Sequence, residues 1–176
     1  MLNSNIRQSL RAAALAVVAL ATPALGSGNV PIGDDSLHKP DWLQETFPDL
    51  GEDLADANAQ GKRMMIIIEQ RGCIYCTKMH EDIFPTPEID AMIRENFFVV
   101  QINMFGDLEV TDYDGTVLSE KDMVRRWNAI FTPTMIFLPE AADDSKTAVQ
   151  NAVAVMPGAF ERATTLAMFN WVHSKS

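Results

Sequence analysis

Residues 64–76 read Met-Met-Ile-Ile-Ile-Glu-Gln-Arg-Gly-Cys-Ile-Tyr-Cys, and the rest of the fold can be worked out from this stretch. Its first five residues are apolar and mostly branched, which predicts a short strand buried on both faces. Gly72 and Cys73 then open a segment with helical spacing that extends to about Phe84. Because Cys76 follows Cys73 by three residues, a Cys-x-x-Cys pair is predicted where a buried strand gives way to a helix.

This location gives the two thiols different reactivity. The first turn of a helix has unpaired N–H groups and a partial positive charge, which stabilise a thiolate. We therefore expect a lowered pKa for the Cys73 thiol and a protonated thiol at Cys76, deeper in the turn. A Cys73 thiolate would attack a partner's disulfide, and Cys76 would resolve the mixed disulfide. Tyr75, between the two cysteines, is the aromatic side chain expected to touch a partner.

The segments outside this stretch predict an α/β domain with a mixed central sheet flanked by helices. A small hairpin insert is predicted around Asp114-Gly115, a favoured tight-turn pair. Trp127 and Trp171 are expected to be core anchors. The remaining predicted elements are helices over about 50–60, 88–96, 119–128 and 159–172, and strands over about 97–102, 135–138 and 149–155.

Composition narrows the class of protein. The chain has 176 residues, which suits one ordinary domain, and monomer is the expected state. Its 14 Lys and Arg against 24 Asp and Glu give a net charge of −10, which argues against nucleic acid as a partner. Two cysteines are too few for a disulfide-rich scaffold or a four-thiolate metal centre.

The N-terminal region has the pattern of a secretory signal. Residues 1–26 combine two arginines, a ten-residue apolar run and small residues at cleavage spacing, so we expect export to the periplasm with cleavage of this segment. Residues 27–48 lack periodicity and predict a loose N-terminal arm, whose end would be pinned by Trp42, Leu43 and Phe47. The domain itself is expected to span 49–176.

Over about residues 50–173 the sequence resembles the thioredoxin superfamily. The match includes the cysteine pair, Thr132-Pro133 just before a predicted strand, and Pro157-Gly158 before the last helix. The resemblance implies a thioredoxin-like fold in which Pro133 is cis, faces the cysteines and lets the preceding backbone at Thr132 receive a partner strand. An ordinary trans proline opening a strand is the alternative. The only redox group implied is the Cys73–Cys76 disulfide, with no other cofactor and no metal.

A closer resemblance is to the periplasmic thioredoxins of bacterial sulfur-oxidation gene clusters (the SoxW type). It implies a thiol–disulfide oxidoreductase that reduces disulfides in partner proteins, in sulfur oxidation or cytochrome maturation, and is recharged by a membrane thiol electron donor. The residues that carry it are Glu69-Gln70, Gly72-Cys73, Tyr75-Cys76, Met79-His80, Pro87-Glu88-Ile89, Gly106-Asp107, Glu109-Val110-Thr111-Asp112, Asp114-Gly115, Leu118-Ser119-Glu120-Lys121 and Phe131-Thr132-Pro133-Thr134.

The chain departs from thioredoxin at an acidic position. Thioredoxin buries an acid six residues before its first cysteine, where this chain has Ile67. Glu69, four residues before Cys73, is the nearest candidate for proton transfer from Cys76. A strand-end carboxylate in solvent is the equal alternative.

Other functions stay open at the level of the sequence. A purely structural disulfide would close too small a loop to stabilise much. The strong oxidants of the superfamily carry a helical domain between the cysteines and the proline, but Pro133 follows Cys76 by only 57 residues. A disulfide isomerase is not excluded, because Thr132 before the proline is also found there. A metal-binding module would use Cys73, Cys76 and His80, with no fourth ligand apparent; otherwise His80 is expected to be a partly exposed helix residue.

Overall fold

The computed structural model describes residues 30–175, so the predicted signal segment lies outside the described residues. The helices are α1 Leu50–Ala59, α2 Ile74–Lys78, α3 Pro87–Asn96, α4 Glu120–Arg126, α5 Ala148–Asn151 and α6 Arg162–His173, with a π-helical turn at Met79–Ile83. The strands are β1 Arg63–Glu69, β2 Phe97–Asn103, β3 Glu109–Thr111, β4 Val117–Ser119, β5 Thr134–Phe137 and β6 Ala154–Pro157.

The central sheet is mixed and has the strand order β2-β1-β5-β6. Strand β1 pairs in parallel with β2 and antiparallel with β5, and β5 pairs antiparallel with β6. Every residue of β1 is buried, because successive side chains point to opposite faces and both faces are covered. Met64, Ile66 and Ile68 pack with α1 and α4, whereas Met65 and Ile67 pack with α3 and α6. The prediction of a mixed α/β sheet flanked by helices is confirmed.

The hairpin insert is present before the proline. Strands β3 and β4 form a separate two-stranded sheet, and Gly115 takes the positive φ of 76° that their turn requires. Within residues 30–175, no helix has the length and apolar character needed to cross a bilayer.

The predicted strand over 149–155 is wrong. Residues 148–151 form the short helix α5 instead, and the strand begins only at Ala154. Thr147 accepts a hydrogen bond from the Gln150 N–H while the Gln150 side chain accepts one from the Thr147 N–H. This reciprocal capping starts a helix that the alternating valines do not suggest.

The described part of the N-terminal arm is packed against the domain and is not loose. Leu43 bridges Val99 of the edge strand β2, and the Gln44 N–H donates to the Val99 carbonyl at 2.9 Å. Trp42 is buried as expected, but Phe47 is 98% exposed and pins nothing. The arm therefore covers the edge of the sheet from Trp42 to Gln44.

Candidate active site

The cysteine pair lies at the carboxyl end of the central strand. After β1 the chain turns through Gly72, whose φ is 68°, and Cys73 becomes the N-cap of α2. Cys73 and Cys76 form a disulfide, and the Cys73 Sγ also accepts a hydrogen bond from the Cys76 N–H at 3.0 Å. The exposed fraction is 7% for Cys73 and 1% for Cys76. Of the two sulfur-bearing residues, Cys73 is thus the one nearer to solvent.

The loop before β5 lies against the cysteines. The Thr132–Pro133 peptide bond is cis, as the resemblance implies, and the Thr132 Oγ1 donates to the Cys73 Sγ at 3.3 Å. Two further bonds hold this loop: the Thr134 hydroxyl donates to the Phe131 carbonyl, and the Gly158 N–H donates to the Pro133 carbonyl, both at 2.7 Å. The structure thus brings Thr132 and Pro133 to the cysteine pair.

Large apolar side chains next to these groups are exposed. Ile74 and Tyr75, between the cysteines, are 74% and 57% exposed, and Ile130 and Phe131, just before Thr132, are 70% and 58% exposed. We call these four residues the apolar rim. An exposed apolar group of this kind at a reactive residue is typical of a binding surface.

A buried, hydrogen-bonded cluster of polar side chains lies at the same end of β1. Glu69 and His80 are each 1% exposed, and the His80 Nε2 is 2.9 Å and 3.1 Å from the two Glu69 carboxylate oxygens. The Gln101 amide of β2 donates to the Glu69 Oε2 at 2.6 Å. Glu69 is therefore not a solvated strand-end carboxylate, and the expectation that His80 is partly exposed is wrong.

The N-terminal arm is what buries His80. The His38 ring stacks on the His80 ring with centroids 4.6 Å apart, and Trp42 stacks at 6.0 Å, while Phe84 packs edge-on at 5.2 Å. The Gln101 amide also donates to the His38 carbonyl at 3.0 Å, which ties the arm to the sheet. Burial lowers the pKa of His38 below 6.5, and the neighbouring His80 lowers it further. The arm thus forms one wall of the buried cluster.

Sequence reasoning missed this cluster because its members are far apart in the chain. The usable signal is local: His80 follows Cys76 by four residues, which places both side chains on one helical face. Among residues 30–175, no three His, Cys, Asp or Glu side chains are grouped so that they could hold a metal ion.

Comparisons with known proteins agree with this geometry. The family model for the thioredoxin-like domain matches residues 50–167. A thioredoxin from Thermus thermophilus has 22% identity and a TM-score of 0.53, over 71% of this chain and 84% of its own. A thioredoxin-fold protein from Helicobacter pylori has 19% identity and a TM-score of 0.49, over 65% and 70% of the two chains.

The oxidised carboxyl-terminal domain of DsbD from Neisseria meningitidis has 13% identity and a TM-score of 0.47, over 75% of this chain and all of its own. No curated protein matches the sequence. At these identities the likeness of the Thermus structure shows the fold alone. The family model, however, spans well over half of the chain, so the chain belongs to the thioredoxin-like domain family.

Proposed function

We propose that this protein is a thiol–disulfide oxidoreductase that reduces disulfides in partner proteins. The observation that carries the proposal is the placement of Cys73: it is a helix N-cap, it is the more exposed of the pair, and the Thr132 hydroxyl reaches its sulfur at 3.3 Å. The helix N-terminus and the hydroxyl donor both stabilise a thiolate at this atom. The redox group is the Cys73–Cys76 pair alone, with no other cofactor.

The reaction begins with the reduced pair. The Cys73 thiolate attacks one sulfur of the partner's disulfide, forming a mixed disulfide and releasing the other partner sulfur as a thiolate. Cys76 loses its proton and attacks the Cys73 Sγ, which forms the Cys73–Cys76 disulfide and frees the second partner sulfur. Two electrons pass from the dithiol to the partner, and the proton from Cys76 offsets one of the charges released.

The partner would dock on the apolar rim. Tyr75 lies in the first turn of α2 and Phe131 in the loop before β5, and both are more than half exposed. An extended partner segment could pair with the backbone at Thr132 and Pro133 as an added strand, while the rim receives its apolar side chains. The net charge of −10 favours a partner whose docking face is basic.

The reductive direction and the compartment are further parts of the proposal. Between Cys76 and Pro133 the described chain has α3, β2, the hairpin and α4, which leaves no separate helical domain of the kind found in strong oxidants. The signal pattern of residues 1–26 supports export to the periplasm. A monomer working there needs a membrane thiol electron donor, and sulfur oxidation or cytochrome maturation would supply its partners.

Trapping tests the order of attack. Cys76→Ser should accumulate a mixed disulfide with a disulfide-bonded peptide, visible by mass spectrometry and reversed by a thiol. Cys73→Ser is the matched control and should trap far less, because Cys76 is 1% exposed. Trapping through Cys76 in preference to Cys73 would overturn the assigned roles.

The reduction potential tests the direction. We expect the pair, equilibrated with a defined thiol buffer, to lie near the thioredoxin value of about −270 mV. A value near about −120 mV, typical of a strong oxidant, would overturn the reductive assignment and favour an oxidant or isomerase.

A further inference from the structure

One nitrogen of the buried cluster has no partner. The His80 Nδ1 is buried and makes no hydrogen bond, although the Nε2 of the same ring is held by both oxygens of Glu69. Leaving a buried polar atom unpaired is costly, so such atoms are rare and each one needs an explanation. Of the two found among residues 30–175, the Arg63 Nη2 lies at the start of β1, whereas the His80 Nδ1 lies at the end of β1 that carries the reactive cysteines.

The position of His80 relative to Cys76 suggests that function. The two residues are four apart, so their Cβ atoms are about 6 Å apart on one face of the helix. Helical side chains lean toward the N-terminus, which directs His80 over the turn that contains Cys76. Both residues are 1% exposed. The helical spacing therefore places His80 one turn beyond Cys76, the thiol that has no ready access to solvent.

The tautomer follows from the carboxylate. A carboxylate only accepts hydrogen bonds, so when the ring carries a single hydrogen Glu69 favours it on Nε2 and leaves the Nδ1 lone pair available. A histidine oriented in this way by an acid is the usual base that activates a nucleophile. The π-helical turn begins at Met79, where the Phe84 N–H donates to the Met79 carbonyl at 2.8 Å, and such turns are frequent at functional sites.

We propose that the His80 Nδ1 accepts the proton of the Cys76 thiol in the resolving step, and that Glu69 is a positioning residue that acts through His80. This inference rests on the proposed oxidoreductase function. As Cys76 attacks the Cys73 Sγ, its proton moves to His80 and gives an imidazolium next to the Glu69 carboxylate. The imidazolium then returns the proton to the departing partner thiolate by way of solvent at the opened site.

The charges around His80 favour this transfer. The Glu69 carboxylate of β1 contacts the ring at 2.9 Å, so it stabilises the imidazolium. The stacked His38 would oppose it if charged, but burial lowers the pKa of His38 and keeps that ring neutral at pH 7. Lys39 donates to the Gln101 Oε1 at 2.6 Å, on the side of that amide that faces away from Glu69, and it pairs with Asp35.

The test separates the two sulfur steps. The reduced full chain is mixed with the chromogenic disulfide dithiobis(nitrobenzoate), which releases one thionitrobenzoate when Cys73 attacks and a second when Cys76 resolves the mixed disulfide. We expect His80→Gln to leave the first release within twofold of wild type and to slow the second about 100-fold at pH 7, the lower end for loss of a general base. The second release in His80→Gln should then rise about tenfold per pH unit, steeper than in wild type.

Further variants keep the inference testable if His80→Gln does not fold. Glu69→Gln should slow the second release about tenfold, and the double variant should be no slower than His80→Gln, because Glu69 acts through His80. His173→Gln, at the end of α6, is the matched control and should leave both releases unchanged.

The outcomes are distinct. Equal slowing of both releases, or an unchanged second release in folded His80→Gln, would overturn the role of His80. Additive effects of Glu69→Gln and His80→Gln would overturn the positioning role of Glu69. Failure of the first release in the wild-type protein would instead overturn the proposed function.

Discussion

Two buried carboxylates, those of Asp112 and Glu69, differ in the hydrogen-bond donors that surround them. Asp112, 2% exposed, directly follows the hairpin strand β3, and Glu69, 1% exposed, is the last residue of β1. The partners of Asp112 are all fixed donors, whereas one partner of Glu69, the His80 ring, can change which of its nitrogens carries a hydrogen. The difference separates a carboxylate that holds the fold from one that can take part in proton movement.

The Asp112 cluster joins three elements. Its Oδ2 accepts from the Arg126 Nη1 and the Trp127 Nε1, both at 2.8 Å, and its Oδ1 accepts from the backbone N–H groups of Tyr113 at 2.9 Å and Ala148 at 2.8 Å. These bonds tie the hairpin to α4 and α5. None of the four donors can become an acceptor, because guanidinium, indole and backbone N–H groups only donate.

The Glu69 cluster is adaptable. His80 can move its hydrogen between its two ring nitrogens. The Gln101 amide keeps its nitrogen toward Glu69, because its oxygen accepts from Lys39 and its nitrogen also donates to the His38 carbonyl. Both oxygens of Asp112 accept hydrogen bonds, whereas the Nδ1 of His80, the ring that contacts Glu69, has no partner. This nitrogen is therefore available for a hydrogen. Replacing each of the two acids by its isosteric amide therefore tests whether its hydrogen-bond partners are fixed or adaptable.

Asp112→Asn should have the largest effect on stability. The amide nitrogen that replaces one carboxylate oxygen cannot accept, so the two buried donors that bonded to that oxygen lose their partner. We expect this to lower the free energy of unfolding by about 3 kcal/mol. Urea unfolding of the oxidised protein measures this loss, and the reduction potential should not move. Asp114→Asn, which also removes a carboxylate from Arg126 but on the surface, is the control and should lose much less. Equal losses of stability in the two variants would mean that the Asp112 carboxylate contributes no more than a carboxylate in a surface ion pair.

A third buried acid, Asp53, differs from both because, within residues 30–175, no cation forms an ion pair with it. Its carboxylate accepts a hydrogen bond from the Thr46 hydroxyl at 3.3 Å, and burial raises its pKa from 3.8 to about 6. The folded state then binds this proton more tightly than the unfolded chain, so the free energy of unfolding falls as pH rises from about 4 to 6.

Asp53→Asn should remove that fall and stabilise the protein by about 2 kcal/mol at pH 7. Urea unfolding at a series of pH values measures it as the difference between variant and wild type. Asp56→Asn, on the exposed side of the same helix, is the control: the Asp56 charge is one of the smaller causes of the raised pKa, so its removal should leave most of the fall in place. If the free energy of unfolding changed with pH in the same way in Asp53→Asn and in wild type, the raised pKa of Asp53 would be contradicted.

Much of the fold and the reactive pair could be predicted because those signals are local. Unbroken apolar runs gave β1 and β2, and Asp114-Gly115 gave the hairpin turn. Trp127 is a buried anchor as predicted, but Trp171 is 46% exposed, since the buried face of α6 is formed by Thr165, Phe169 and Val172. A helix of mostly apolar residues offers no pattern that would identify this face.

The part of the site that could not be predicted depends on distant contacts. His80 is buried only because His38 and Trp42 of the arm stack over it, and nothing near His80 in the sequence indicates that. The state of Glu69 was open for the same reason, because Gln101 from another strand completes its hydrogen bonds. Local periodicity specifies elements, whereas the pairing of buried polar groups emerges from the assembled fold.

Glu69→Gln should have the smallest effect on stability and is the decisive test of the comparison. The new amide can donate to the His80 Nε2 if that ring moves its hydrogen to Nδ1, and its oxygen can accept from Gln101, so we expect a loss of about 1 kcal/mol. Urea unfolding measures the loss beside Asp112→Asn under the same conditions. A loss equal to that of Asp112→Asn would mean that the partners of Glu69 are as fixed as those of Asp112. A small loss would mean that Glu69 matters mainly for the protonation of His80. In the variant the His80 hydrogen moves to Nδ1, which is the nitrogen that would accept the proton of Cys76.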